Sequence, residues 1–143
     1  MTHIDDKILL EKILANRLIT PYFQPIYDLN NGQIYGHEAL SRGPQDSKLF
    51  SPDPLFTLAQ QEGKLHKLEL LCREKALSKF AELALKGRLF LNVSASLLAS
   101  PDHQKGMTLS ILNELGLDQK NIVIGLSEQH PFDHNGIPLS SVD

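Results

Sequence analysis

The apolar positions of this chain change period several times along its length, and each change marks an element. Across residues 4–18, Ile4, Ile8, Leu9, Ile13, Leu14 and Leu18 fall near helical spacing, which predicts an amphipathic helix that Pro21 ends. The pattern then turns to strand-like alternation over 22–28 and again over 33–40. Asn30-Asn31-Gly32 between them is a turn signal of hairpin type, so the two strands are expected to be antiparallel. Residues 43–53, with Gly43, Pro44, Ser47, Ser51, Pro52 and Asp53, read as a loop. Helical spacing resumes at Pro54-Leu55-Phe56, with Asp53 as the expected N-cap and Pro54 at the first helical position, and Gly63 breaks it. A longer helix over 67–86 turns Leu68, Leu71, Cys72, Ala76, Leu77, Phe80 and Leu83 inward and stops at Gly87. Leu89-Phe90-Leu91-Asn92-Val93 is nearly all apolar, as a strand buried on both faces should be. Asn92 in such a strand is a buried amide that needs partners or a ligand. After a loop at 99–106 come a helix over Met107–Leu115, ended by Gly116, and a last strand over 121–127. Residues 129–143 are polar, with Pro131, Gly136 and Pro138.

The order of elements is strand, strand, helix, strand, helix, strand, an α/β pattern that amounts to about half of an eight-fold barrel. A length of 143 residues suits one domain with a real core, and 41% hydrophobic against 22% charged residues is ordinary for a globular chain. The net charge of −3 argues against a binder of nucleic-acid polymers, which would carry a basic field, but leaves room for a nucleotide held by a few placed arginines. Cys72 is the single cysteine and sits in an apolar run, so it reads as a buried thiol in a cytoplasmic protein. Asp5, Asp6 and Glu11 interrupt the N-terminal apolar residues, so no signal peptide is expected, and no stretch reaches the roughly 20 apolar residues of a membrane span.

The chemistry concentrates in Gly36-His37-Glu38-Ala39-Leu40-Ser41-Arg42. If the strand continues through it, Glu38, Leu40 and Arg42 share one face at the strand's C-terminal end. A carboxylate and a guanidinium so placed can hold a metal ion and a phosphate together. The same spacing also suits a surface ion pair beside a turn. His130-Pro131-Phe132-Asp133-His134 puts two histidines four apart, but Pro131 and Gly136 disfavour the helix that would join them, so it reads as a loop rather than a zinc site.

In order along the chain, Tyr22-Phe23-Gln24-Pro25-Ile26, His37-Glu38-Ala39-Leu40-Ser41-Arg42, Ser51-Pro52-Asp53-Pro54-Leu55-Phe56, Phe90-Leu91-Asn92-Val93-Ser94 and Ile122-Val123-Ile124-Gly125-Leu126-Ser127-Glu128 resemble the successive motifs of the EAL family, named for the triplet Glu38-Ala39-Leu40. The resemblance covers about residues 20–135. It implies a modified (β/α) TIM-like barrel whose first strand is antiparallel to the others. It also implies a phosphodiesterase that cuts cyclic di-GMP to linear pGpG with Mg²⁺ or Mn²⁺. Carried over residue by residue, it makes Glu38 and Asn92 metal ligands and Arg42 a phosphate contact. Gln24 becomes a substrate contact, Leu40 a neighbour of the guanine base, and Glu128 the residue that orders a loop over the metals. Hard divalent ions do take carboxylate and amide oxygens of this type. By the same resemblance, residues 1–20 are an N-terminal helix or linker and residues 21–143 the N-terminal half of an EAL domain.

Two departures qualify that expectation. Where the family places a metal-binding glutamate in its fourth strand, this chain has Gly125, which cannot coordinate. Glu128, three residues on, lies about 10 Å away and on the opposite face of a strand. The paired aspartates, lysine and glutamate that the family carries on its later strands have no counterpart before Asp143. Since a barrel takes about 250 residues, the expectation is a truncated, catalytically inactive chain whose parent is the phosphodiesterase. The alternatives are a non-catalytic cyclic di-GMP receptor or protein-interaction module, and a half-barrel without function of its own whose exposed strand edges promote self-association.

Overall fold

A computed structural model describes residues 2–99 and 107–126 of the chain. The sequence of elements is α1 (Thr2–Asn16), β1 (Thr20–Tyr27), β2 (Ile34–Arg42), α2 (Pro52–Gln61), α3 (Leu65–Leu83), β3 (Arg88–Val93), α4 (Ala95–Leu98), α5 (Met107–Leu115), a short 3₁₀ turn (Gln119–Asn121) and β4 (Ile122–Leu126). The four strands form one sheet in the order β1-β2-β3-β4. β1 pairs antiparallel with β2, and β2, β3 and β4 are mutually parallel. The expected half-barrel with an antiparallel first strand is what forms.

The hairpin is closed by its own polar side chains. Asp28 Oδ1 accepts from the Asn30 N–H at 2.8 Å, and Asn31 Oδ1 accepts from the Gln33 N–H at 2.9 Å. These are local turns that compete with extended structure. β1 is an edge strand, which is where Pro21 and Pro25 are tolerated, because a missing donor on the outer side costs no ladder bond. Tyr35 has no partner opposite it, since Ile26 pairs with Gly36 and Tyr27 with Ile34. This bulge brings its ring to Phe90 (6.0 Å between centroids) and beneath Arg88 (4.7 Å).

One face of the sheet is covered by helices. α3 lies across β1, β2 and β3 and carries two apolar clusters in succession. Its first half, through Leu68, Leu71 and Cys72, packs with Leu10 and Ile13 of α1, Ile19, Leu49, and Leu55, Phe56 and Ala59 of α2. Its second half, through Ala76, Leu77 and Phe80, packs with Leu89 and Leu91 of β3 and Leu112 of α5. The other face of the sheet is the one a closed barrel would turn inward. No helix among the described residues is long and apolar enough to cross a membrane.

Several boundaries differ from the sequence expectation. α1 ends at Asn16 rather than running to Leu18. Arg17 takes a left-handed conformation (φ 57°), and the Leu18 N–H bonds the Ile13 carbonyl at 2.9 Å, a C-terminal cap that stops the helix well before Pro21. Ile8 and Leu18, assigned to its apolar face, are exposed. The N-cap of α2 is Ser51, with Pro52 opening the helix and Asp53 inside its first turn. α3 stops at Leu83 because Ala84 turns left-handed (φ 52°), so Leu83 is exposed rather than inward. Gly87 serves instead as the entry to β3, where its φ is +85° and a Cβ would stand 2.7 Å from the Tyr35 carbonyl oxygen. The short helix α4 was not legible in the apolar pattern, since its signal is a single capping serine, Ser94.

Candidate functional site

At the C-terminal ends of β2 and β3 the two strands part. Their ladder holds only from Gly36–Arg88 to Glu38–Phe90. Above it opens a cleft of about 320 Å³ between the strand ends, the first turn of α2 and the middle of α3. Glu38, Leu40 and Arg42 of β2 and Asn92 of β3 are among its lining residues, together with Ala39, Ser41 and Leu91. Antiparallel register puts Gln24 directly opposite Glu38 and Tyr22 opposite Leu40. Gln24 is exposed and stands beside the cleft rather than among its lining residues.

Glu38 and Asn92 meet. Asn92 Nδ2 donates to Glu38 Oε2 at 3.1 Å. The expectation of a buried Asn92 is corrected: the residue is exposed, because helices cover only the face that carries Leu89, Leu91 and Val93. Its neighbour across the β3–β4 ladder is Gly125. A Cβ added at Gly125 would find nothing nearer than Asn92 Oδ1, at 3.8 Å, so packing does not demand a glycine there. Glu128 and the His130/His134 pair lie outside the described residues.

The donor set can be tested against a divalent cation. Mg²⁺ asks for about six oxygens in near-octahedral array. Glu38 and Asn92 offer two adjacent side chains of suitable chemistry, but the amide presents nitrogen, not oxygen, to the carboxylate. Among the described residues no group of three or more His, Cys, Asp or Glu side chains could hold a metal. These residues alone do not make a cation site.

Arg42 is half-buried at the cleft's rim. Its Nη1 donates to the Ser41 carbonyl at 3.1 Å, and its guanidinium lies 5.9 Å from the centre of the Tyr22 ring. No carboxylate pairs with it among the described residues. A guanidinium without a counter-anion, at the edge of a cleft, suits an incoming phosphate.

The cleft's back wall is α3, and here lie the residues that sequence reading missed. Glu69 and Arg73 are 5% and 6% exposed although both are charged. The Glu69 carboxylate accepts from Ser94 Oγ at 2.6 Å and from the Ser94 N–H at 3.0 Å. Arg73 Nη1 donates to Thr108 Oγ1 of α5 at 2.8 Å. Burial pulls the Arg73 pKa below its ordinary value, and the neighbouring Glu69 carboxylate opposes that shift. The available signal was their spacing: Glu69 and Arg73 stand four apart and flank Cys72 on the apolar stripe, where a solvated charge pair would not belong. Cys72 itself is a buried residue of the cleft's lining, and desolvation pushes its thiol pKa up to about 12, leaving an inert thiol as expected.

The β2–α2 loop is tied back on itself. The Gly43 N–H bonds the Phe50 carbonyl (3.0 Å), while Ser47 Oγ donates to the Pro44 carbonyl (2.7 Å) and accepts from the Leu49 N–H (3.2 Å). The backbone passes so close that a Cβ on Gly43 would be 2.1 Å from the Leu49 carbonyl oxygen. The closure sets Phe50 edge-on against Tyr22, with centroids 6.4 Å apart. A larger, shallower depression of about 600 Å³ lies at the α2–α3 corner, lined by Lys64, His66, Lys67 and Ser96, and none of the strand-end residues reaches it.

Comparison with known proteins bears on the fold and the family. The Escherichia coli K12 protein named "probable cyclic di-GMP phosphodiesterase PdeB" is 48% identical over 63 residues, which is 43% of this chain and 12% of that protein. The EAL domain of Xanthomonas citri FimX, solved with c-diGMP, superposes with a TM-score of 0.73 at 14% identity over 89% of this chain and 50% of its own. A standalone EAL protein of Vibrio cholerae O395, solved with c-di-GMP bound, gives a TM-score of 0.60 at 26% identity over 77% of this chain and 45% of its own. The chain thus spans a small part of the curated relative and about half of these structures. The model of the EAL domain matches residues 6–141, and the chain therefore belongs to the EAL domain family.

Proposed function

We propose that this chain recognises cyclic di-GMP at the β2–β3 cleft and does not hydrolyse it. The observation that carries the reading is the register of Gly125 with Asn92. The position across the β3–β4 ladder from Asn92, where a carboxylate would stand beside the Glu38–Asn92 pair, has no side chain. Two-metal hydrolysis needs ions that neutralise the phosphoryl oxygens, activate water and stabilise the leaving oxygen. In this reading Glu38 and Asn92 would be the residues to ligate Mg²⁺ or Mn²⁺, but they fall short of a site by themselves, and no chemical step follows from them. Recognition asks for less. Arg42 supplies a charge for a phosphate, Leu40 an apolar surface for a base, and Gln24 a polar group beside Glu38. Glu128 would keep its loop-ordering role only where metals are bound. A longer protein that both adds the later ligands and supplies the one missing at Gly125 would be a metal-dependent cyclic di-GMP phosphodiesterase, acting in the cytoplasm.

The test is chromatographic detection of pGpG after incubation with cyclic di-GMP and Mg²⁺ or Mn²⁺, beside a binding titration. No pGpG, with affinity that falls on Arg42→Ala, is expected. Turnover to pGpG refutes the inactive reading, and affinity indifferent to Arg42→Ala refutes the receptor.

A second reading is favoured by one feature, the edge of β4, which pairs with no further strand among the described residues and where Ile124 and Leu126 are 42% and 66% exposed. An uncharged, apolar edge strand is a template for another strand, so the chain would self-associate or bind a protein there. A monomer across a hundredfold concentration range in sedimentation would count against it.

A further inference from the structure

We propose that Tyr22, braced by Phe50, is a positioning residue that holds the Arg42 guanidinium at the mouth of the cleft for a phosphate of the ligand. The proposal rests on the reading of the cleft as a nucleotide site. Arginine is a flexible side chain, and one that must meet a phosphate at a fixed point gains from being ordered beforehand. Most ordered arginines are held by a carboxylate. Such a partner would have to be displaced when phosphate arrives, and its charge would repel the ligand. Arg42 is held otherwise. Tyr22 faces Leu40 in register, so Arg42, two residues further along β2, is its diagonal neighbour on the same face of the sheet. The 5.9 Å between guanidinium and ring lies within cation–π range, and one N–H is spent on the Ser41 carbonyl. Both restraints are neutral, so the positive charge remains available.

Tyr22 is itself exposed on an edge strand and would be free to swing without support. Phe50 meets it edge-on at 89°, a favoured aromatic geometry. Phe50 in turn is fixed by the loop closure onto Gly43 and by the Ser47 bonds. The line of support runs from loop to Phe50, to Tyr22, to Arg42. This gives a structural role to a tyrosine outside the residues carried over by family resemblance.

The experiment pairs a binding cycle with a ligand-free measurement on the whole chain. Cyclic di-GMP is titrated into wild type, Tyr22→Phe, Tyr22→Leu, Arg42→Ala and the Tyr22→Leu/Arg42→Ala double variant. Tyr22→Phe keeps the ring and should stay within about twofold of wild type, while Tyr22→Leu should weaken binding by about three- to tenfold. In the Arg42→Ala background Tyr22→Leu should cost nothing further. An equal loss in both backgrounds would mean that Tyr22 acts by itself, and would overturn the proposal. Wild-type affinity in Arg42→Ala would instead overturn the nucleotide reading. Independently of any ligand, the Arg42 Nε–Hε resonance should report an ordered side chain in wild type and Tyr22→Phe and a mobile one in Tyr22→Leu. Equal mobility in all three would defeat the proposal whatever the binding data show.

Discussion

Ser94→Ala removes a single oxygen and should cost far more than a surface serine does. Ser94 is completely buried, and besides a contact with Ser96 Oγ at 3.2 Å its hydroxyl has two duties. It donates to the Glu69 carboxylate at 2.6 Å and accepts from the Leu97 N–H at 3.1 Å as the N-cap of α4. Loss of an N-cap costs about 1 kcal/mol. Loss of a hydrogen bond to a buried charged group costs about 1.5–3 kcal/mol. One hydroxyl makes both bonds and Glu69 retains the Ser94 N–H, so the sum is expected at about 2–4 kcal/mol, a large part of the 5–15 kcal/mol typical of a domain. Urea unfolding followed by circular dichroism reads this directly. The same substitution in a Glu69→Gln background should cost about 1–2 kcal/mol, since only the cap and a neutral bond remain. A loss below about 1 kcal/mol in the wild-type background would show that Ser94 is only a cap and that Glu69 is satisfied in another way.

Cys72 should resist a thiol reagent at pH 8 in the native state and react at once in urea; rapid native labelling would contradict its burial. Its folded pKa, raised from 9.0 to about 12, means that the stability it contributes is complete below about pH 9 and is lost as pH rises towards 12. The stability difference between wild type and Cys72→Ala should therefore shrink over that window, and a constant difference would refute the assignment. Gly43→Ala should destabilise by about 1–3 kcal/mol because its methyl meets the Leu49 carbonyl oxygen, whereas Gly125→Ala should stay within about 0.5 kcal/mol of wild type in the same urea assay. Gly125→Glu adds a carboxylate beside Asn92, and Mn²⁺ should then broaden the Asn92 side-chain amide signals at about tenfold lower concentration than in wild type. Unchanged broadening would show that the missing ligand is not what limits metal binding.

The hairpin, the existence of strand β3 and the position of Glu38, Leu40, Arg42 and Asn92 near strand ends were legible in the chain, because period and turn chemistry are local properties. Helix ends were less so. Arg17 and Ala84 take left-handed conformations that neither residue type announces, and each ends its helix earlier than proline or glycine would suggest. Asn92 misled because an apolar run reads the same whether one face or two are covered, and only the layout of helices decides. Glu69, Arg73 and Ser94 were missed because their partners are 25 and 35 residues away in sequence. Tyr22 and Phe50 meet through a loop closure that depends on the close backbone approach at Gly43, which composition shows only as a glycine in a loop.

The two apolar clusters along α3 bear on how the domain breathes. The β2–β3 seam is held by three residue pairs, against eight in the β1–β2 hairpin and five between β3 and β4. The helix alone spans both clusters, with Glu69, Cys72 and Arg73 at their junction. Because Phe23 and Ala39 of the hairpin pack against the second cluster, α3 backs that short seam, and the molecule divides instead between the clusters, into one cooperative unit built on α1, α2 and the first half of α3 and another built on the sheet, the second half of α3 and α5. Hydrogen exchange should then resolve two opening events, with the amides of Leu68 and Phe80 on opposite sides of the line of division. Because the cleft lies on that line, a molecule bound there touches both units and should slow exchange in each, turning two independent openings into one.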